Sequence, residues 1–100
     1  MPLFLYYRPS FLRSSKRLGV EQKKVTAKIL RCLLAYYASD CNLGKAQEID
    51  PGFFYKQLKK PYYEAGIESG IRVVLRREKQ KCIAVLAGNH DQVKQFLGDV

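Results

Sequence analysis

Tryptophan is absent from this 100-residue chain, and histidine and methionine each occur once. With one imidazole, His90, a single side chain has an unperturbed pKa suited to proton transfer near neutral pH. Cysteine is scarce and odd in number: Cys32, Cys41 and Cys82 are the three, with no C-x-x-C spacing and one His as co-ligand. A disulfide framework or a zinc site is therefore not expected; separately, no cofactor is expected for this chain. Cys32 in an apolar helical run and Cys82 at a strand start read as small core residues in a reducing cytoplasm. Long hydrophobic runs are also missing. The apolar start is cut by Arg8 and Pro9 and has no basic n-region, which argues against a signal peptide or a membrane span.

Acidic side chains are in short supply: 9 Asp and Glu face 18 Lys and Arg, for a net charge of +9. That surface attracts polyanions, whether nucleic acid, anionic membrane or an acidic protein. The excess is segmental. Met1 to Tyr37 carries eight basic residues against Glu21 alone, and Lys56 to Lys81 carries eight against Glu64, Glu68 and Glu78. The length allows one domain, 1–100, with a core of modest size, so both basic segments share one small fold.

Leu3 to Arg8 reads as a strand ended by Pro9. Ser10 is placed to cap a helix carrying Phe11 and Leu18 on one face, and Gly19 ends it. A second helix follows from about Val20 to Tyr37, with a stripe of Val25, Ile29, Leu33 and Tyr36 widened by Leu30, Leu34 and Tyr37. Ser39 to Gly52 reads as a surface loop, and Phe53 to Leu58 fits a strand or a helical turn equally. Tyr62 to Ile67 is an expected strand. Ile71 to Arg77 and Lys81 to Ala87 form an antiparallel pair around Glu78-Lys79-Gln80. Asn89 or Asp91 then caps a terminal helix bearing Val93, Phe96 and Leu97. The expected fold is α+β: an N-terminal strand, a helical hairpin packed on an antiparallel sheet, and a short C-terminal helix.

Side chains alternate along a strand. Ile71, Val73 and Leu75 therefore face the core, while Arg72, Val74 and Arg76 face the other way. Pairing Arg77 with Lys81 sets Arg72 against Leu86 and brings His90 to Arg72's end of the sheet. Arg76 lies about 13 Å further along and fits a general basic face. Arginine's planar fork suits phosphate. For His90, a locally bonded turn residue is the commoner role on composition alone. Lys56, Lys59 and Lys60 precede Tyr62 and Tyr63; lysines beside aromatics combine phosphate neutralisation with base stacking. As single features these are equally compatible with solvated lysines and core tyrosines. Glu64 is an isolated carboxylate, weak evidence for a base.

Taken together, Ser10-Phe11-Leu12-Arg13 with Lys16-Arg17-Leu18, then Leu58-Lys59-Lys60, Gly70-Ile71-Arg72-Val73-Val74 and Val85-Leu86-Ala87-Gly88-Asn89-His90-Asp91-Gln92-Val93 resemble the RelE/ParE toxins of bacterial toxin–antitoxin systems. The resemblance runs over nearly the whole chain. It implies a metal-independent, ribosome-dependent mRNA endoribonuclease, with Arg72 as phosphate stabiliser and His90 as acid or base. Lys59 and Lys60 match the family's phosphate-contacting lysines. Lys56, Arg76 and Tyr63 join the expected substrate-binding set on the residue reading above. The implied partners are an acidic antitoxin, mRNA and the ribosome in the cytoplasm, with DNA met only through an antitoxin complex. Other members of the family inhibit gyrase without enzymatic chemistry, and an inactive RNA- or antitoxin-binding relative is the third alternative. Where many members carry a Tyr after the final valine, this chain has Lys94.

Overall fold

The computed structural model describes residues 3–100. The element order is β1 Phe4–Tyr7, α1 Pro9–Lys16, α2 Val20–Ala38, α3 Leu43–Gln47, β2 Phe54–Gln57, β3 Tyr62–Gly66, β4 Arg72–Glu78, β5 Lys81–Gly88 and α4 His90–Gly98. The five strands form one sheet in the order β1-β5-β4-β3-β2. All neighbours are antiparallel except β1, which runs parallel to β5. The expected α+β architecture holds, with a mixed rather than antiparallel sheet.

One sheet face is covered by α2. Ile29, Cys32, Leu33 and Tyr37 from α2 are buried with Ala65, Val73, Leu75, Cys82 and Ala84 from the strands. The stripe is rotated from the expected one: Thr26 and Cys32 are buried, whereas Leu34 is half exposed. The other face is partly covered by α4, where Val93, Phe96 and Leu97 pack on Val74, Tyr62 and Leu86. Burial on both faces explains why β4 reads as a nearly continuous apolar run at its centre.

Helix α1 extends the line of β1 and runs beside the uncovered part of β5. Ser10 does not cap it; Arg8 occupies the cap position. Ser10 Oγ instead donates to the Val85 carbonyl at 2.8 Å, and Ser14 Oγ accepts from the Ala87 amide at 3.0 Å. These hydroxyls satisfy backbone groups that β1 is too short to reach.

Two further local expectations are corrected and one open alternative is resolved. The expected loop 39–52 contains α3, whose Ala46 is buried in the core. The chain leaves α2 through a left-handed Asp40 (φ 59°), with Cys41 N–H bonded to the Tyr36 carbonyl at 2.8 Å. That is a helix-ending turn built without its usual glycine. The ambiguous 53–58 segment contains edge strand β2. The β4–β5 register also differs: Glu78 pairs with Lys81, and an irregularity at Val74/Leu75 shifts the ladder again, so Arg72 faces Gly88 rather than Leu86. Two one-residue displacements preserve the parity, which leaves Arg72 on its expected face.

Candidate functional site

Residues directly opposite across a sheet share a face. On the face away from α2, Phe54 pairs with Gly66 and Gly66 with Arg72, while Lys56 pairs with Glu64 and Glu64 with Val74. Since α4 covers Val74, the side of the sheet toward β2 is left with Phe54, Lys56, Glu64 and Arg72.

Glu64 is the centre of this group. Its side chain is only 4% exposed, yet it stays within 3.3 Å of Lys56 Nζ through Oε2 and 3.3 Å of Arg72 Nε through Oε1. A carboxylate this deep requires such partners. Two cations around one carboxylate leave the cluster net positive.

Arg72 is held from several sides. Its Nη1 donates to the carbonyls of Ser69 and Ile71, at 2.5 and 3.1 Å. Its guanidinium lies 4.8 Å from the centre of the Phe54 ring, a favourable stacking distance. Gly66 leaves room for this stack, while Gly88 on the other flanking strand leaves room for Gln92. A β-carbon at Gly66 would meet the Phe54 ring at 2.8 Å and Arg72 Cδ at 3.1 Å. At Gly88 it would collide with Gln92 Oε1 at 2.6 Å. Nη2 of Arg72 takes part in none of these contacts and remains available to an anion.

His90 is the first residue of α4, two residues beyond the Gly88 that faces Arg72. The corner is built by Asn89, whose side chain accepts from the Gln92 amide at 2.9 Å, while Gln92 Oε1 accepts from the Asn89 amide at 2.7 Å. This reciprocal cap fixes where α4 starts and sets His90 exposed at that end of the sheet. Asn89 rather than Asp91 is the capping residue.

The other sequence-selected residues divide between locations. Lys59 and Lys60 are exposed on the β2–β3 turn beyond Lys56, with Lys59 Nζ donating to the Val100 carbonyl at 3.0 Å. Arg76 shares Arg72's face but sits at the far end, 2.8 Å from Glu78 Oε1 and over the Tyr62 ring. Tyr63 lies on the opposite face. It pairs with Leu75, stacks on Tyr55 with centroids 5.4 Å apart, and carries Arg77 at 5.3 Å above its ring. The structure thus brings Lys56, Arg72 and the end bearing His90 to one region and leaves Tyr63 out of it.

Sequence reasoning underrated Glu64 and passed over Phe54 and Gly66. The usable signal was the β3–β4 register: once Gly66 pairs with Arg72, strand alternation places Glu64 on Arg72's face. Among the described residues, no group of three or more His, Cys, Asp or Glu is arranged to hold a metal ion. Nor is any described helix long and apolar enough to cross a membrane.

No protein-family model matches the sequence, and no curated protein matches it. Solved structures do match. A copper-bound mutant toxin from Helicobacter pylori superposes with a TM-score of 0.65 at 20% identity, over 93% of this chain and 99% of that one. The RelB–RelE antitoxin–toxin complex from Methanococcus jannaschii provides a chain with a TM-score of 0.59 at 11% identity, over 91% of this chain and 96% of that one. At these identities the likeness establishes the fold, which is that of RelE-like toxin structures.

Proposed function

We propose that this protein is the toxin of a toxin–antitoxin pair and acts as a ribosome-dependent mRNA endoribonuclease, without a metal cofactor, in the cytoplasm. The observation that carries the reading is the buried Glu64 between Lys56 and Arg72, at the end of the sheet where His90 is exposed. A carboxylate, two phosphate-seeking cations and an imidazole are the groups that cleavage by an internal hydroxyl requires.

In this mechanism the scissile phosphate binds Nη2 of Arg72 and Lys56 Nζ, drawing Lys56 away from Glu64. The freed Oε2 takes the proton of the ribose 2′-OH. The 2′-oxygen then bonds to phosphorus as the P–O5′ bond breaks, and His90 donates a proton to the leaving 5′-oxygen. The products are a 2′,3′-cyclic phosphate and a 5′-hydroxyl. Arg72 is already oriented by Phe54 and two carbonyls, so charge stabilisation in the transition state needs little reorganisation. Lys59 and Lys60 extend the positive rim toward neighbouring phosphates. The net charge of +9 suits an acidic antitoxin that covers this surface.

The test is purified protein added to ribosomes carrying a defined codon in the A site. Cleavage within that codon is expected, leaving a cyclic phosphate end, and should fall at least about 100-fold in Arg72→Ala and His90→Ala. Intact mRNA with inhibition of purified gyrase would overturn the reading.

A further inference from the structure

Helix α4 divides the open sheet face, and a groove lies on its other side, toward α1. A cleft of about 430 Å³ between α1, the start of α2 and α4 adjoins one of about 170 Å³ at the start of α1; Phe96 lines both. The smaller holds Arg8, Arg76 and Tyr62, and the larger holds Arg17, Gln22, Gln92 and Gln95. Among these linings Asp99 is the sole acidic side chain, with Glu78 outside them as Arg76's ion-pair partner. Arg8 and Arg17 form no ion pair among the described residues.

The glutamines are oriented. Gln22 Oε1 accepts from the Gly19 amide at 3.1 Å, and Gln92 Oε1 accepts from the Asn89 amide at 2.7 Å. With both carbonyl oxygens turned to helix starts, the amide NH₂ groups are left as fixed donors. Arg8 and Arg17 flank α1 about 13 Å apart along its axis, a span of several phosphates at the ~3.4 Å rise of a stacked strand. Asn89, the residue before His90, lines the larger cleft.

We propose that this α1–α4 groove is a second RNA site, which holds the single strand flanking the cleaved phosphate. Arg8, Arg17 and Arg76 meet phosphates, the glutamine amides meet base edges, and Phe96 offers a stacking surface. An acidic peptide would use the cations but has no need of oriented amide donors beside an aromatic ring. The inference rests on RNA being the substrate.

The test is fluorescence anisotropy of a labelled single-stranded RNA carrying 2′-O-methyl groups, which bind but cannot be cleaved. Arg8→Glu with Arg17→Glu is compared with Lys23→Glu and Arg31→Glu, an equal charge change on exposed positions of α2. The groove pair should weaken binding about 30-fold and reduce the salt slope by about two, and Gln95→Leu should weaken it without changing the slope. Equal losses in both pairs would overturn the groove. So would unchanged RNA binding in the groove pair beside lost binding of a poly-glutamate peptide. Because the readout needs no cleavage, loss of RNA binding confined to the groove variants in a protein that cuts no mRNA would sustain the groove and reject the nuclease. Cleavage with no groove effect would do the reverse.

Discussion

Arg72 Nε lies 3.3 Å from Glu64 Oε1, a carboxylate almost wholly withdrawn from solvent while the arginine keeps 23% of its side chain exposed. The buried partner fixes the exposed one. An arginine tethered through Nε and Nη1 is aimed, and its remaining nitrogen, Nη2, takes part in none of these contacts.

Removing the carboxylate should therefore cost both stability and activity. Glu64→Ala is expected to destabilise the fold by about 2 kcal/mol, below the ~3–5 of a fully buried broken pair, because Lys56 and Arg72 can rehydrate. Urea denaturation measures this. In the cleavage assay, Glu64→Gln should keep most of the stability and lose the activity. A variant as active as wild type would remove Glu64 from the chemistry.

Gly66 sits across from Arg72, and its missing side chain makes room for both Phe54 and the arginine. Gly66→Ala is expected to cost about 2 kcal/mol by overpacking and to displace the guanidinium from the ring. Cleavage should fall more than stability explains. Full activity at a temperature where the variant is folded would contradict the arrangement.

Ser14 accepts the Ala87 amide on the stretch of β5 that β1 does not cover. Ser14→Ala leaves that buried N–H unpaired, at a cost of about 1–2 kcal/mol. Thermal unfolding should move down by about 5–10 °C. An unchanged melting temperature would mean that the serine contributes nothing to the edge.

Burial pushes the phenols of Tyr36, Tyr37 and Tyr55 above the ordinary value of 10.0. The Cys82 thiol is likewise pushed above 9.0 by burial. Tyr37 donates to the Tyr55 hydroxyl at 3.0 Å, which also favours its neutral form. The folded protein thus retains protons that the unfolded chain releases. Its stability from these groups is complete below pH 9 and falls as pH rises through the unfolded-chain values of 9.0 and 10.0. Tyrosinate absorbance followed together with circular dichroism through an alkaline titration should show these three phenols ionising above the ordinary value, together with the loss of structure. Ionisation of Tyr36, Tyr37 and Tyr55 at the ordinary value of 10.0 in a folded protein would contradict the packing.

The hydrophobic pattern carried most of the architecture, since the existence of α2 and the β4 alternation follow from residue spacing, although the buried stripe of α2 is turned toward Thr26 and Cys32. Less visible were features set by backbone geometry. Asp40 ends α2 in a left-handed conformation that composition assigns to glycine, which hid α3 in an apparent loop. The tighter turn that pairs Glu78 with Lys81 and the irregularity at Val74/Leu75 together moved the partner of Arg72 from Leu86 to Gly88, without a marker in the sequence. Tyr62 and Tyr63 were interchangeable until β3 had a register, and that register sent Tyr63 to the α2 face. Glu64 looked isolated for the same reason: its partners are eight residues away on either side, joined to it only across the sheet.

The central claim is that the Glu64–Arg72–Lys56 cluster, with His90, cuts mRNA. It is tested most directly by expressing wild type, Arg72→Ala and His90→Ala in a bacterial host and mapping cellular mRNA ends by primer extension. New ends within codons in the wild type, absent from both folded variants, are the predicted result. Growth arrest with intact mRNA and accumulating DNA breaks would contradict it.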